Sequence, residues 1–150
     1  MSESPRILYG REQDLDVAEF RRVLIESGLS RIRPVDDEPR LQAMIAGANL
    51  IVTARLGQPG RPLVGFGRAV TDSVWCCYLS ELAVSPSAQG LGVGKGLLDE
   101  ARRQLGSGVS LYLISVPEAA GFYERAGMKR LTDAFSYKRE RCPPDEGHSA

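Results

Sequence analysis

The chain has 150 residues, with 19 basic and 19 acidic side chains and a formal net charge of zero. That length suits one compact core that folds without staples. The charge balance argues against nucleic acid as the main partner, because phosphate binding leaves a basic footprint, and no apolar run is long enough to span a bilayer.

The three cysteines, Cys76, Cys77 and Cys142, are odd in number and two are adjacent, unlike a disulfide framework. They read as small packing residues, and a reducing, cytoplasmic setting is expected. The opening MSESPRILYG lacks the charged-then-apolar pattern of a secretory leader.

In chain order, Arg6 to Gly10 predicts a short strand. A helical stretch starts at Asp14, carries Leu15, Ala18, Phe20, Val23 and Ile25, and stops at Gly28. Asp36 to Ala46 predicts a second helix, with Leu41, Met44 and Ile45 on one side. Asn49–Leu56, Leu63–Val70 and Val74–Val84 read as three antiparallel strands, joined by turns at Gly57–Gly60 and Thr71–Ser73. Gly94 to Leu105 is a helix with Leu97, Leu98, Ala101 and Leu105 at core spacing, ended by Gly106. Val109 to Val116 predicts another strand, and Pro117 opens a helix that Gly127 stops. Met128 to Arg139 is expected to hold one or two closing strands. The order β-α-α-β-β-β-α-β-α-β implies a mixed α/β (α+β) domain on one central sheet. It is expected to be a single domain over residues 1–140, with a polar, proline-broken tail from Arg141 that is expected to be disordered.

The turn from Gln89 to Gly96 carries the chemistry. A buried strand ends at Val84, and Gly90, Gly92, Gly94 and Gly96 lead into a helix. Glycines let backbone N–H groups approach a ligand, and a helix start adds unpaired N–H groups and partial positive charge. Together they form an anion cradle. The Walker pattern fails, because Gln89 and Gly96 replace its first glycine and its magnesium-binding hydroxyl. The dinucleotide pattern fails too: counted from Gly90 or Gly92, its last glycine falls on Lys95 or Leu97. Q-x-x-G-x-G fits, at Gln89, Gly92 and Gly94.

With LAV-x-P before the turn and GFYERAGM from Gly121, the chain resembles the GNAT superfamily of N-acetyltransferases over nearly its whole length, up to about Lys138. The resemblance implies a mostly antiparallel sheet flanked by helices, with a splay between the fourth and fifth strands. It also implies acetyl-CoA as donor and a primary amine, on a small molecule or a peptide, as acceptor. The pantetheine arm is then expected along Leu82, Ala83 and Val84. The pyrophosphate is expected on the N–H groups of Gln89, Gly90, Leu91, Gly92, Val93, Gly94 and Lys95. The resemblance further implies that Tyr123 protonates the departing thiolate. One departure is that SVPEAAGFY carries Val116 and Pro117 where many members place an asparagine that contacts the pantetheine.

An amine must lose a proton before it attacks, and for a lysine-like amine this costs about 4.6 kcal/mol at pH 7. Glu81, an acid in an apolar strand three residues before Val84, is a candidate acceptor of that proton, directly or through water. It reads equally as a solvent-facing residue or an ion-pair partner of an arginine. Trp75, Tyr78 and Phe20 are candidates to line the acceptor pocket. Asp36, Asp37 and Glu38 are candidates to attract a cation, although Asp36 and Asp37 fit a helix N-terminus better. The lone histidine, His148, lies in the tail, so neither a Ser-His-Asp triad nor a histidine metal site is expected. No metal, nucleic acid or membrane partner is expected, and a homodimer is compatible with the sequence. Two other readings stay open: a non-catalytic acyl-CoA sensor with the same fold, and a nucleotide phosphotransferase using the glycine turn.

Overall fold

The computed structural model describes residues 6–140. The expected tail, with Cys142 and His148, lies outside the described residues. The chain divides into two compact units, Met1–Leu113 and Ile114–Ala150.

The first unit is built on a five-stranded sheet in the order β1-β2-β3-β4-β5: β1 (Ile7–Arg11), β2 (Leu50–Leu56), β3 (Leu63–Thr71), β4 (Cys76–Val84) and β5 (Ser110–Tyr112). The first four strands are antiparallel neighbours, and β5 joins β4 in parallel. Helices α1 (Val17–Glu26), α2 (Glu38–Gly47) and α3 (Val93–Leu105) cover the sheet. Successive residues of β3 show the two faces. Phe66 stacks on Phe20 of α1, ring centroids 4.8 Å apart. A Cβ on its neighbour Gly65 would press on Val93 and Leu97 of α3 at 3.0 and 3.1 Å. The core on the α1/α2 face holds Leu24, Leu41, Ile45, Ile51, Phe66 and Ala83, all buried.

Local chemistry sets the helix ends. Asp16 caps α1 by accepting from Glu19 N–H at 3.1 Å, and Asp37 caps α2 by accepting from Arg40 N–H at 3.1 Å. Gly28 follows α1 in the left-handed region at φ +88°, where a side chain is disfavoured. The 3-10 turn Leu29–Ile32 then leads through Arg33 to α2.

Three strand expectations change. β4 starts at Cys76 rather than Val74, because the Asp72 carboxylate accepts from the N–H groups of Val74, Trp75 and Cys76 at 2.9, 2.8 and 3.1 Å. That closes a tight turn where a longer strand was expected. Cys76 is then exposed and Cys77 buried, as neighbours on a strand should be. β5 is shorter than Val109–Val116, because its pairing with β4 covers only Cys76–Tyr78 against Ser110–Tyr112. No strand forms over Met128–Arg139. Phe135 and Tyr137 stand fully open at 94% and 106% exposure, so the apolar residues that suggested strands cover nothing.

The second unit contains a 3-10 turn, Pro117–Ala119, running into α4 (Ala120–Arg125). Gly127, at φ +95°, ends α4: its N–H donates to Glu124 O and the Met128 N–H to Tyr123 O, each at 3.0 Å. Those two bonds are a Schellman stop.

Candidate active site

Two features of β4 define the site. The first is its outer edge. Pairing with β5 ends at Tyr78, so from Leu79 to Val84 β4 has no strand partner on that side among the described residues. This is the expected splay, and it leaves the β4 edge at Leu82, Ala83 and Val84 without a paired strand among the described residues. Leu82 and Val84 are half-buried and Ala83 is buried.

The second feature follows the strand. Ser85 anchors the chain by donating its N–H to Val64 O at 2.8 Å and its hydroxyl to Glu26 at 2.6 Å. A 3-10 turn, Pro86–Ala88, then leads to Gln89, Gly90, Leu91 and Gly92, all exposed. Gly90 and Gly92 take φ of +85° and +75°, and a Cβ on either would meet open space. Their lack of a side chain therefore serves the backbone conformation and a clear approach, not close internal packing. Gly92 is the N-cap of α3 and no side chain caps this end. The first helical bond runs from Gly96 N–H to Gly92 O at 2.9 Å. The N–H groups of Val93, Gly94 and Lys95 precede it and form the positive end of the helix. Lys95 turns along the helix to pair with Asp99 at 2.6 Å.

Glu81 is fully enclosed, its side chain 0% exposed. Arg33 Nε donates to Oε2 at 2.8 Å, Arg68 Nη2 donates to Oε2 at 2.9 Å, and Arg68 Nε donates closely to Oε1. The Ser80 hydroxyl adds a bond to Oε2 at 2.7 Å. Burial pushes the Glu81 carboxyl up, but the bonds and charge of Arg68, the charge of Arg33 and the Ser80 hydroxyl outweigh it and hold the group below the usual glutamate range. Of the readings open from sequence, arginine pairing is the one realised. Arg68, inside the apolar run GFGRAV, was visible in the sequence as a buried charge needing a partner. Arg33, one arginine among many, gave no signal.

A β-bulge shapes the same place. Arg68 pairs with Glu81 and Ala69 with Leu79, which leaves Ser80 without a partner on β3. The Ser80 carbonyl instead accepts from Arg33 Nη2 at 2.9 Å.

The remaining candidates separate. Phe20 is 0% exposed in the core and lines no pocket: its ring is spent against Phe66. Trp75 stands 76% exposed at the start of β4, and Tyr78 is 43% exposed. Asp37 is a helix cap, and Glu38 pairs with Arg21 at 3.0 Å. In the second unit, Tyr123 lies on α4 with its ring edge-on to Phe122, centroids 5.0 Å apart. Burial pushes its phenol up, so the hydroxyl keeps its proton at neutral pH. Among the described residues no cluster of histidine, cysteine and acidic side chains is placed to hold a metal ion. No helix among them is long and apolar enough to cross a membrane.

Comparison with known proteins supports the same reading. The family model described as an acetyltransferase (GNAT) domain matches residues 47–130, more than half of the chain. A serotonin N-acetyltransferase 2, chloroplastic, of Oryza sativa subsp. japonica is 32% identical over 125 residues, covering 81% of this chain and 60% of the relative. An uncharacterized ycf52-like N-acetyltransferase of Prochlorococcus marinus is 29% identical over 123 residues, covering 80% of this chain and 66% of the relative. The chain thus spans less than two thirds of the length of these relatives. Among solved structures, a GNAT family acetyltransferase from Streptococcus pneumoniae TIGR4 superposes with a TM-score of 0.65 at 22% identity, covering 90% of this chain and 100% of that one. An aminoglycoside N-acetyltransferase in complex with CoA gives a TM-score of 0.67 at 16% identity, covering 95% and 99%. The matched residues span the bulged strand, the glycine turn and the tyrosine helix, and the chain belongs to the GNAT acetyltransferase family.

Proposed function

We propose that this protein is an N-acetyltransferase that moves the acetyl group of acetyl-CoA to a primary amine by direct attack within a ternary complex. The observation that carries this reading is the uncapped, glycine-built start of α3 at the end of a strand whose outer edge is unpaired. The N–H groups from Gln89 to Lys95 hold the pyrophosphate, and the backbone of Leu82 to Val84 pairs with the pantetheine amides. The open space at Gly90 and Gly92 suits both a bulky anion and its close approach.

Acetyl-CoA supplies an activated thioester, so no covalent enzyme intermediate is needed. The Tyr123 hydroxyl, protonated at neutral pH, gives its proton to sulfur as the C–S bond breaks. The nitrogen proton released as the amide forms restores the phenol. The ammonium form of the acceptor first gives one proton to solvent, because both oxygens of Glu81 are held by guanidinium groups.

The rice relative is named for serotonin, and one solved neighbour for aminoglycosides. The acceptor panel therefore contains tryptamine, 2-phenylethylamine, spermidine, kanamycin and a lysine peptide. CoA release with at least one of these, together with calorimetric binding of acetyl-CoA, is the expected result. Binding without release on every amine favours the sensor, and magnesium-dependent binding of ATP in place of acetyl-CoA favours the phosphotransferase. Tyr123→Phe is expected to lower kcat by about 10- to 1000-fold with acetyl-CoA binding retained. Unchanged turnover removes Tyr123 from the reaction.

A further inference from the structure

The Glu81 cluster does more than neutralise a buried acid. It joins three separate pieces of the first unit. Glu81 and Ser80 lie on β4, Arg68 on β3, and Arg33 on the connector from Gly28 to Asp37 between α1 and α2. The charged groups facing Glu81 are Arg68 and Arg33, and the Ser80 hydroxyl completes its bonds.

The two arginines serve different ends. Arg68 is bound within the sheet and to α2: besides Glu81, it donates to Ser80 Oγ at 3.0 Å and Met44 O at 3.2 Å. Arg33 reaches down from the connector. Its guanidinium forks between the Glu81 carboxylate and the Ser80 carbonyl, and returns one bond to Ile32 O at 3.0 Å. Ser80 is free to accept it because the bulge takes Ser80 out of register with β3. The connector also contacts the helical layer: Leu29 and Val35 pack on the core, and Val35 O accepts from Arg21 Nε at 3.0 Å. The polar contact from Arg33 ties the connector to the bulge.

The bulged residue, Ser80, sits two residues before Leu82, where the unpaired stretch of β4 is proposed to meet the donor. On the proposed transferase reading, a connector fixed there is a wall beside the reacting end of the donor and faces the incoming amine. We propose that Arg33, Glu81 and Arg68 form a latch that sets the position of the Gly28–Asp37 connector and so controls acceptor affinity. Glu81 is then a positioning residue and not the proton acceptor. A carboxylate that accepts four bonds, three of them from guanidinium groups, is a poor base, because taking a proton would weaken a charge-assisted bond. Arginine suits the role because its planar fork meets a carboxylate and a carbonyl at once, which an ammonium does not.

The test separates affinity from chemistry. For the panel amine with the highest kcat/KM, Arg33→Ala is expected to raise the acceptor KM by about 10-fold or more. It should change kcat by less than about threefold and leave acetyl-CoA binding unchanged. Arg33→Lys, which keeps the charge but loses the fork, is expected to recover only part of the affinity. Glu81→Gln keeps the shape of the site, and the acid limb of its kcat–pH profile is expected to match that of the unaltered protein. An unchanged acceptor KM in Arg33→Ala overturns the latch, as does a fall in kcat alone. Loss of the acid limb in Glu81→Gln overturns it by restoring Glu81 as the base. If Glu81→Gln does not fold, the Arg33 variants still decide. Absence of CoA release from the unaltered protein with every amine overturns the transferase reading and the latch together, a result distinct from the others.

Discussion

The glycine turn after β4 and the Glu81 cluster within it meet charge in opposite ways. At the turn, the backbone N–H groups of Val93 to Lys95 begin a helix with no side chain capping them, between exposed Gly92 and exposed Lys95. At Glu81, two guanidinium groups and a hydroxyl bond a carboxylate that has no exposed surface. A site made of backbone keeps its donors whatever side chains its residues carry, provided the φ values and the clear approach survive. A site made of side chains depends on every member, because removing one leaves another charge buried without a partner. On the proposed reading, the turn accepts an external anion and the cluster holds internal pieces in place.

Three outcomes break or sharpen this contrast. The largest effect is expected from Glu81→Ala, which leaves the buried Arg68 guanidinium and the half-buried Arg33 guanidinium without their shared acid. It should cost about 3–5 kcal/mol in denaturant unfolding, a large share of an ordinary domain's stability. A cost below about 1 kcal/mol would mean that the cluster holds nothing. The comparison sharpens with Glu81→Leu and Arg68→Met combined, where removal of both charges is expected to recover most of the loss.

Gly92→Asp should behave in the opposite sense. Gly92 is exposed and its Cβ direction is open, so folding is expected to survive. On the proposed reading the new carboxylate meets the pyrophosphate, and acetyl-CoA binding by calorimetry should weaken about 10- to 100-fold, or roughly 1.4–2.7 kcal/mol. An unchanged dissociation constant would show that the anion sits elsewhere.

The smallest effect is confined to acid. Glu81 is held below its ordinary range by Arg68 and Arg33 against the upward push of burial, and Glu12 is lowered mainly by its hydrogen bonds to Arg55. A folded-state pKa below the unfolded one gives stability that is present above the unfolded value, about 4.3, and is lost as pH falls through the folded value. Thermal midpoints should thus hold flat from neutral pH down to about 5 and then fall. In Glu81→Gln that fall should be shallower, and an identical fall would show that Glu81 is not ionised by its partners.

Much of this was legible in the residues. β-rich apolar runs bounded by turn residues placed β2, β3 and β4 within two residues of their observed bounds, and spacing at Leu97, Leu98 and Ala101 placed α3. The glycine turn was legible because its chemistry is local: positive φ, missing Cβ atoms and a helix start all lie within eight residues of sequence. The limits of β5 and the absence of strands over Met128–Arg139 were not legible, since a strand exists only where another backbone pairs with it. Phe20 was misplaced for a related reason. An aromatic on a helix stripe reads the same whether it faces a pocket or a core, and only Phe66 beneath it decides.

The sequence by itself determined the family, the order of the elements up to α4 and the glycine turn into α3, because each rests on patterns among near neighbours. Only the tertiary structure decided the state of Glu81. Its partners lie 13 and 48 residues away, and a bulge in β4 must free the Ser80 carbonyl before Arg33 can reach it. Charge alone said that Glu81 needed a partner or water, and packing chose the partner.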